Sequence, residues 1–259
     1  MEKITSRKSS IIKTASELLD SASARAERRQ YMAEGARLVE DASLSGVDIS
    51  ELFYTEKAYG KYKKYIDKAA EKSEKIYIIE EHVASLLSST KSSQGVFAVC
   101  KWGKNIRSSS LLGKVITFEN IQDPNNMGNM LRTAEALGIK TVLLVGACCD
   151  ITSPKVLRGS MGAVYRLNFI KLETPEELHA MLVKDGVKLY GAVPSDKALK
   201  ITEMSFDDKT TVAIGNEGNG LTEEFKSVCD NLVTIPMLGR AESLNAATAS
   251  AIIMWEMTK

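Results

Sequence analysis

The stretch NNMGNMLRTAEALGI, Asn125–Ile139, carries the strongest signal for the fold of this chain. It follows the run VITFENIQDP, which predicts a β-strand ending in Asp123-Pro124. Apolar residues then recur at helical spacing as far as Gly138, a residue type typical of the position after a helix. We predict a helix near 127–137 with Arg132 in its first turns, where free backbone N–H groups favour anions. Arginine there can grip a phosphate bidentately; the alternative is an ordinary βα unit with a solvated arginine.

Strands and helices alternate along the rest of the chain, which predicts an α/β fold with a mostly parallel sheet. Downstream strands are predicted at VITFEN, TVLLVGA, RLNFI, KLYGAV, TVAIGN and LVTIPM, and helices near 127–137, 153–160, 175–185, 221–230 and 245–257. Upstream, ISELFYTE, EKIYIIEE, SQGVFAVCKW and a helix rich in lysine and tyrosine predict a smaller α/β unit. Within the polar stretch KNIRSSSLLGK we place a linker, 106–112, between predicted domains 1–105 and 113–259.

The charge of the chain is balanced overall but unevenly distributed. Net charge is +1 over 259 residues, with 44% hydrophobic and 26% charged residues, as in ordinary globular proteins. Residues 1–110 carry 19 Lys and Arg against 15 Asp and Glu, and the remainder carries 15 against 18. The segment RAERRQ is the most basic patch. A mildly basic front half can support phosphate contacts, although a solvated helical surface would have the same composition.

Cysteine usage and hydropathy indicate the cellular setting. The four cysteines show no Cys-x-x-Cys spacing, which argues against a zinc site or a disulfide scaffold and suits a reducing cytosol. The N-terminal segment MEKITSRKSS lacks the apolar core of a secretory signal. No apolar run reaches the ~18 residues that a membrane span requires. We therefore expect a cytoplasmic protein with no metal site and no membrane partner.

A second informative segment is AIGNEGNGL, Ala213–Leu221. Three glycines at the end of a predicted strand allow a backbone to approach a ligand closely. Their spacing, G-x-x-G-x-G, differs from the G-x-G-x-x-G of dinucleotide-binding proteins. A plain tight turn is the alternative interpretation of this segment.

The third segment is IPMLGRAESLNAATASAIIMWEM, Ile235–Met257, in which Ser243 is a candidate helix cap. The helix that follows is rich in small and apolar residues, so we expect it to pack against its own sheet or a second subunit. Ser243 and Asn245 are polar residues at a helix start beside a glycine loop, and we expect them to face a ligand.

Together the three segments resemble the three motifs of the SpoU (TrmH-type) RNA 2′-O-ribose methyltransferases of the SPOUT superfamily, over roughly residues 113–257. The front half is similar to an L30e-like substrate-binding domain at YMAEGARLVEDA and SQGVFAV. The resemblance implies an α/β knot, in which a deep trefoil knot is tied in a mostly parallel sheet. It also implies a homodimer with its active site at the subunit interface, and S-adenosylmethionine as the methyl donor.

The resemblance also implies the site residues. Donor contacts are expected at Gly215, Gly220, Ile235, Met237 and Leu244. The functional polar residues are expected to be Arg132, Asn126, Glu217, Ser243 and Asn245.

The implied roles follow from the chemistry of each side chain. In the family the motif-one arginine, here Arg132, is the proposed base; because arginine normally stays protonated, the alternative is that Arg132 binds the target phosphate and polarises the ribose 2′-hydroxyl. Asn126 would hold Arg132 or the ribose, and Glu217 would orient the loops. Ser243 and Asn245 would complete the hydrogen bonds. The histidines, His82 and His179, lie outside the motifs and are expected at the surface.

The predicted function is S-adenosylmethionine-dependent 2′-O-ribose methylation of RNA, with ribosomal RNA (23S) as the preferred substrate and no DNA partner. Transfer RNA is an alternative substrate, and a non-catalytic RNA-binding knot protein is an alternative function. A nucleotide-dependent oxidoreductase is disfavoured by the glycine spacing and because no acidic residue ends a suitable second strand.

Overall fold

The computed structural model describes residues 2–259, which form two compact units. The first comprises residues 2–104 together with Asp150–Tyr165, and the second comprises Asn105–Cys149 and Arg166–Lys259. The chain thus leaves the second unit once and returns to it. The domain boundaries 1–105 and 113–259 remain predictions. The packing shows in addition that Asp150–Tyr165 belongs to the first unit.

The first unit is built on a mixed five-stranded sheet. Its strands are β1 (Glu2–Ile4), β2 (Gln30–Glu34), β3 (Ile49–Tyr54), β4 (Ser73–Ile79) and β5 (Val96–Lys101). Their order across the sheet is β1-β4-β3-β5-β2; β4 pairs in parallel with β1 and β3, whereas β5 is antiparallel to β3 and β2. The strands predicted from ISELFYTE, EKIYIIEE and SQGVFAVCKW are confirmed.

Helices cover this sheet and bury its apolar side chains. They are α1 (Ser10–Asp20), α2 (Ala22–Arg28), α3 (Ala36–Leu44), α4 (Glu56–Ala70) and α5 (Glu81–Ala84). Ile12 and Leu18 of α1 pack in one cluster with Met32, Phe53 and Phe97 from the strands. The burial of these large side chains is the main stabilising contribution to this unit.

The basic segment RAERRQ is largely engaged inside the first unit. Arg25 is 4% exposed, and its guanidinium donates to Asp150 Oδ2 at 2.7 Å and to the carbonyl of Leu18 at 2.7 Å. Arg28 donates to the Glu17 carboxylate and to the carbonyl of Thr14. These arginines are therefore structural, and the buried Arg25–Asp150 pair ties the returning segment to α2.

The second unit contains a seven-stranded parallel sheet. Its strands are β6 (Val115–Glu119), β7 (Thr141–Val145), β8 (Asn168–Leu172), β9 (Lys188–Ala192), β10 (Leu199–Lys200), β11 (Thr210–Ile214) and β12 (Asn231–Thr234). Their order is β10-β12-β9-β11-β6-β7-β8, and the neighbouring pairs within the described chain are all parallel. The predicted α/β class and mostly parallel sheet are confirmed, as are all six predicted strands.

The later helices are α6 (Pro124–Ala136), α7 (Pro154–Ser160), α8 (Pro175–Asp185), α9 (Glu223–Ser227) and α10 (Ala246–Thr258). Short 3-10 helices occur at Lys104–Arg107, Ala163–Tyr165 and Ile201–Glu203. The helix predicted near 221–230 is shorter than expected: Thr222 caps α9 by accepting a hydrogen bond from Phe225 N, and the helix stops at Ser227. Gly138, with φ of +80°, follows the end of α6 as predicted.

The start of α6 corrects one expectation. Asp123 caps the helix by accepting a hydrogen bond from Asn125 N at 2.8 Å, and Pro124 occupies the first position, where no donor is needed. Arg132 is therefore the ninth residue of α6, more than two turns from its N-terminus. The prediction that Arg132 lies among the free N–H groups of the first turns was wrong, because the helix begins before the Asn-Asn pair.

Two kinds of feature are absent from residues 2–259. Among the helices of residues 2–259, none is both long and apolar enough to cross a lipid bilayer. The same residues contain no group of three or more His, Cys, Asp and Glu side chains placed to hold a metal ion.

Candidate active site

A cleft of about 520 Å³ opens at the carboxyl ends of β9, β11 and β12. Parallel α/β sheets place their ligands at this edge, and the volume lies in the range of small-molecule sites. The wall includes the segment 192–195, the loop 215–221, the segment 232–237 and the start of α10 with the residues before it. It includes all five predicted donor contacts, which are Gly215, Gly220, Ile235, Met237 and Leu244.

The glycine loop after β11 is held in one shape by its own hydrogen bonds. Asn216 N donates to Gly220 O at 3.0 Å and Gly220 N donates to Asn216 O at 2.9 Å. The Asn216 side-chain oxygen accepts from Gly218 N and Asn219 N at 3.0 and 3.1 Å. Gly220 has φ of +68°, which favours glycine. The loop is thus a preformed turn that presents its backbone to the cleft.

Asn216 is a residue whose importance the sequence analysis missed. The side-chain oxygen of Asn216 shapes the loop, and its side-chain nitrogen donates to Asn120 O at 2.9 Å. The second contact ties the loop to the end of β6. The available signal was an asparagine two residues before a glycine at a strand end, a pattern that favours a side-chain-capped turn.

Gly215 must be glycine for a steric reason. A Cβ at this position would lie 2.2 Å from both the carbonyl carbon of Gly220 and the amide nitrogen of Leu221. Those atoms belong to the backbone and cannot move independently of the loop. The two ends of the loop therefore approach so closely that any side chain at Gly215 would force them apart.

A polar network joins the three motifs beside the cleft. The Asn126 amide donates to Glu217 Oε1 at 3.1 Å, and the Asn245 amide donates to Asn126 Oδ1 at 3.2 Å. Glu217 Oε1 also accepts from Asp123 N at 3.1 Å, and Glu217 Oε2 accepts from Gln122 N at 3.3 Å. Three of the predicted polar residues thus meet, and Asn126 is bound by Glu217 and Asn245.

The carboxyl of Glu217 is held in its charged form by these donors. Partial burial on its own raises the pKa, but the N–H of Glu217 itself, the Asn126 amide and the N–H groups of Asp123 and Gln122 outweigh it and lower the pKa below its ordinary value. The charged carboxylate thus accepts three hydrogen bonds from the segment 122–126. Its role in the structure is to fix the glycine loop against the start of α6.

The start of α10 corrects a second expectation. Asn245 is the helix cap: its side-chain oxygen accepts from Ala247 N at 2.9 Å and from Thr248 N at 3.3 Å. Ser243, predicted as the cap, lies two residues earlier, is exposed and lines the cleft. The side-chain oxygen of Asn245 caps α10, while its side-chain nitrogen donates to Asn126. Ser243 is therefore not needed as the cap and faces the cleft.

Arg132 stands apart from this cluster within one chain. Its side chain is exposed, and it makes no hydrogen bond or salt bridge to residues 2–259. It does not line the cleft. Asn126, Met130 and Leu131 of the same helix are buried, so Arg132 lies on the solvent side of α6. A single chain therefore provides the cleft and the polar network, but not an arginine inside them.

A second residue that the sequence analysis missed is the buried carboxylate of Glu119, which binds the residue directly after the glycine loop. Glu119, at the end of β6, is 2% exposed and accepts from Thr222 N at 2.9 Å and Thr222 Oγ1 at 2.6 Å. Thr222 in turn caps α9. The signal in the sequence was a glutamate that ends an otherwise apolar strand, since such a buried charge requires partners.

The cleft combines an apolar wall with the backbone of the glycine loop and a few polar side chains. Apolar side chains from β11, β12 and α10, among them Ile214, Val233 and Ile253, line it together with Ser195, Ser243 and Lys226. His82 and His179 are exposed, as predicted, and neither lines the cleft. No histidine of this chain therefore lies in its own cleft.

Comparison with known proteins agrees with this architecture. A model of the SpoU rRNA Methylase family matches residues 113–255, and a model of the MRM3-like substrate binding domain matches residues 9–98. An uncharacterised tRNA/rRNA methyltransferase of Synechocystis is 31% identical over 254 residues, covering 98% of this chain and 92% of the relative. The Bacillus subtilis 23S rRNA (guanosine(2553)-2′-O)-methyltransferase RlmP is 28% identical, and the match covers 90% of each chain.

A solved structure extends the likeness to three dimensions. The AdoMet-bound rRNA methyltransferase from Sinorhizobium meliloti superposes with a TM-score of 0.85 at 26% identity, covering 98% of this chain and 96% of that one. A family model that spans more than half of the chain, and a relative 31% identical along nearly all of it, establish that this protein belongs to the SpoU rRNA methylase family.

Proposed function

We propose that this protein is an S-adenosylmethionine-dependent methyltransferase that modifies the 2′-hydroxyl of a ribose in ribosomal RNA. The observation that carries the proposal is the cleft. Its wall contains every residue that family resemblance assigns to the methyl donor, and Gly215 leaves there a backbone cradle that a Cβ would fill. S-adenosylmethionine supplies a methyl group that is already activated by the positive sulfonium.

The residues of the chain then have positioning as their main task. Gly215, Gly220 and Met237 offer backbone to the donor, while Ile235 and Leu244 offer apolar surface. The Asn126–Glu217–Asn245 network keeps the three loops in register, and Ser243 is free to hydrogen bond with the ribose. Arg132 binds the target phosphate and polarises the 2′-hydroxyl, since a guanidinium stays protonated and provides two parallel donors.

We further propose that the chain forms the trefoil knot of its family in the second unit. The loops 215–221 and 235–244 line one cleft beside the same strand ends, and this proximity supports the proposal.

The proposed assembly is a homodimer. Arg132 is exposed and lies outside the cleft of its own chain, so the site lacks its arginine until a second copy provides one. The outer face of α10 also bears an exposed Trp255, 56% accessible, and Leu238 in the preceding loop is fully accessible. Apolar groups of this size on a helix beside the site are typical of a two-fold interface.

Complementation between two inactive variants tests this assembly. If the arginine acts across the interface, a heterodimer of Arg132→Ala and Gly215→Ala subunits contains one site with an intact cleft and an intact arginine. An equal mixture, co-expressed or refolded together, is expected to regain about a quarter of wild-type activity, because half of the dimers are mixed and each has one working site of two. A mixture of Gly215→Ala with Gly220→Val subunits is the control and should stay inactive. No recovery in the first mixture would place the arginine in its own subunit's site.

Ribosomal RNA is the preferred substrate because RlmP, with 90% coverage of both chains, is named for 23S rRNA. Ribosomal RNA as the substrate would also agree with the expected location of the protein in the cytoplasm.

The decisive experiment maps 2′-O-methyl groups in total RNA from cells with and without the gene. One site is expected to disappear from large-subunit ribosomal RNA and to return on incubation with the purified protein and S-adenosylmethionine. Loss of a site in transfer RNA alone would change the substrate, and no loss would reject the activity.

A further inference from the structure

Helix α4 of the first unit carries a line of lysines that the proposed reaction does not use. Lys57, Lys61, Lys64 and Lys68 follow the spacing i, i+4, i+7 and i+11. At 100° per residue these four positions fall within about 60° of one another on the helix, and at 1.5 Å per residue they extend over about 16 Å. All four side chains are exposed. We call these four residues the lysine stripe.

The opposite side of α4 is the buried one. Ala58, Ile66 and Ala69 are its buried residues. The helix is kinked at Tyr62, with φ of −120° and ψ of 24°, and Lys61 and Lys64 on either side of the kink remain exposed. The core of the unit therefore fixes which side of α4 faces outward, and the stripe lies on that side along the whole helix.

The charges of the stripe are mostly uncompensated. Lys57, Lys61 and Lys64 form no salt bridge within the described residues, and Lys68 has only Glu71 at 3.6 Å. The carboxylates nearest in sequence are engaged elsewhere: Glu56 pairs with Lys3 at 3.1 Å, and Asp67 pairs with Lys63 at 2.6 Å. Lys63 itself lies on another side of the helix. Lys61 Nζ also lies 5.2 Å from the centre of the Tyr62 ring, a contact that leaves its charge uncompensated. The result is a local concentration of positive charge with one carboxylate beside it.

The basic segment that looked most suitable from sequence is used differently. Arg25 is buried against Asp150, and Arg28 is paired with Glu17. Neither guanidinium is available for a phosphate without breaking an internal contact. The stripe, in contrast, places four exposed lysines along one side of a helix, and three of them form no salt bridge within the described residues.

We propose that the lysine stripe binds the phosphate backbone of the RNA substrate, an inference that rests on the proposed function. Lysine ammonium groups act as mobile point charges and suit phosphates better than base edges. A row of four charges along one side of a helix matches a regularly charged polymer. The contact is sequence-independent: it adds affinity and holds the RNA, while selection of the nucleotide belongs to the cleft.

A charge-neutralising variant of the full-length protein tests the proposal. Lys57, Lys61, Lys64 and Lys68 are all replaced by glutamine, and the matched control replaces four other exposed lysines of the same unit, Lys8, Lys13, Lys75 and Lys104. The probes are a fluorescein-labelled RNA hairpin and deproteinised large-subunit ribosomal RNA from cells that lack the gene. Binding is measured between roughly 50 and 200 mM salt, over which counterion release makes phosphate contacts visible.

The stripe variant is expected to bind both RNAs at least about tenfold more weakly at roughly 150 mM salt. Its plot of log affinity against log salt should be less steep by about 3, since each lost phosphate contact removes somewhat less than one from the slope. The control variant should keep the wild-type slope within about 1. Both variants should bind S-adenosylmethionine like the wild type, which shows that the fold and the cleft are intact.

Other outcomes separate the two proposals. If the wild type methylates ribosomal RNA but the stripe variant keeps its affinity and slope, the stripe inference is wrong and the proposed function stands. If the stripe variant binds naked RNA normally but binds assembled ribosomal particles weakly, an acidic protein is its partner and the inference again fails. A wild type that binds RNA through the stripe yet transfers no methyl group would reject the proposed activity alone.

Discussion

Replacing Arg132 with alanine is expected to lower the turnover of methyl transfer by roughly 100-fold or more while S-adenosylmethionine affinity stays within about threefold. Loss of a preorganised cation that stabilises developing charge typically has an effect of this size. The structure explains why the effect should be confined to turnover. Arg132 is exposed, has no partner in residues 2–259, and does not line the cleft, so its removal leaves no buried group unsatisfied. Stability should change by less than about 0.5 kcal/mol.

Two further variants show whether the effect depends on the guanidinium of Arg132 or only on positive charge near α6. Arg132→Lys keeps the charge but loses the planar fork, and it should recover only a small part of the activity. Lys140→Ala removes an exposed positive charge shortly after α6 and should behave like the wild type. Single-turnover rates at saturating donor and RNA, with calorimetry for donor binding, separate chemistry from affinity. Retention of more than about a tenth of the wild-type rate, a barrier change under ~1.4 kcal/mol, would exclude a central role for Arg132.

The sequence was sufficient for the elements and for the cleft. Periodicity and glycine placement predicted six of the seven strands of the second sheet, because buried parallel strands appear as short apolar runs between polar turns. The two-residue strand β10 was missed because it is too short and too exposed to form such a run. Resemblance at three motifs predicted five cleft residues, and these do line one cavity. The motifs lie far apart in the chain and meet only because parallel strands end at the same edge of the sheet.

What the sequence did not provide were the side-chain partners. Asn245, not Ser243, caps α10, because Asn245 also has an amide that reaches Asn126 at 3.2 Å. Asn126 binds Glu217 and not Arg132, since they face different sides of α6. Such choices depend on distances between segments that are remote in sequence, and a pattern along one segment carries no information about them.

The association of Asp150–Tyr165 with the first unit has the same origin. Nothing in the local pattern of TSPKVLRGS distinguishes a helix that packs on its own sheet from one that packs elsewhere. The buried guanidinium of Arg25 selects Asp150, and Tyr31 stacks on Tyr165 with ring centroids 6.3 Å apart. A deletion of residues 1–105 would therefore remove the partners of this segment, so RNA capture is better tested by the surface variants above.

The second large effect is expected from Gly215→Ala, which should weaken S-adenosylmethionine binding by roughly 100-fold or more. The cause is local. The new Cβ would lie 2.2 Å from the carbonyl carbon of Gly220 and from Leu221 N, so the loop must move by more than an ångström to relieve the overlap. Movement of that size breaks the paired hydrogen bonds between Asn216 and Gly220, which give the loop its shape. Because the donor contacts are backbone groups of this loop, affinity falls without any change in the polarity of the cleft.

Gly218→Ala is the matched control, since it makes the same substitution in the same loop. Its Cβ would find only Asn216 Oδ1, at 3.6 Å, and Gly218 has no positive φ, so donor affinity should stay within about threefold. Gly220→Ala is expected to have an intermediate effect. Its Cβ meets nothing within 4 Å, but with φ of +68° a side chain at this position costs about 1 kcal/mol.

Calorimetry gives the three affinities, and urea unfolding shows whether Gly215→Ala remains folded. The order Gly218, Gly220, Gly215 of increasing loss is what a backbone cradle requires. Equal affinities in all three variants would mean that the donor binds elsewhere, and a loss confined to Gly218→Ala would mean that side-chain space, and not loop shape, limits the site.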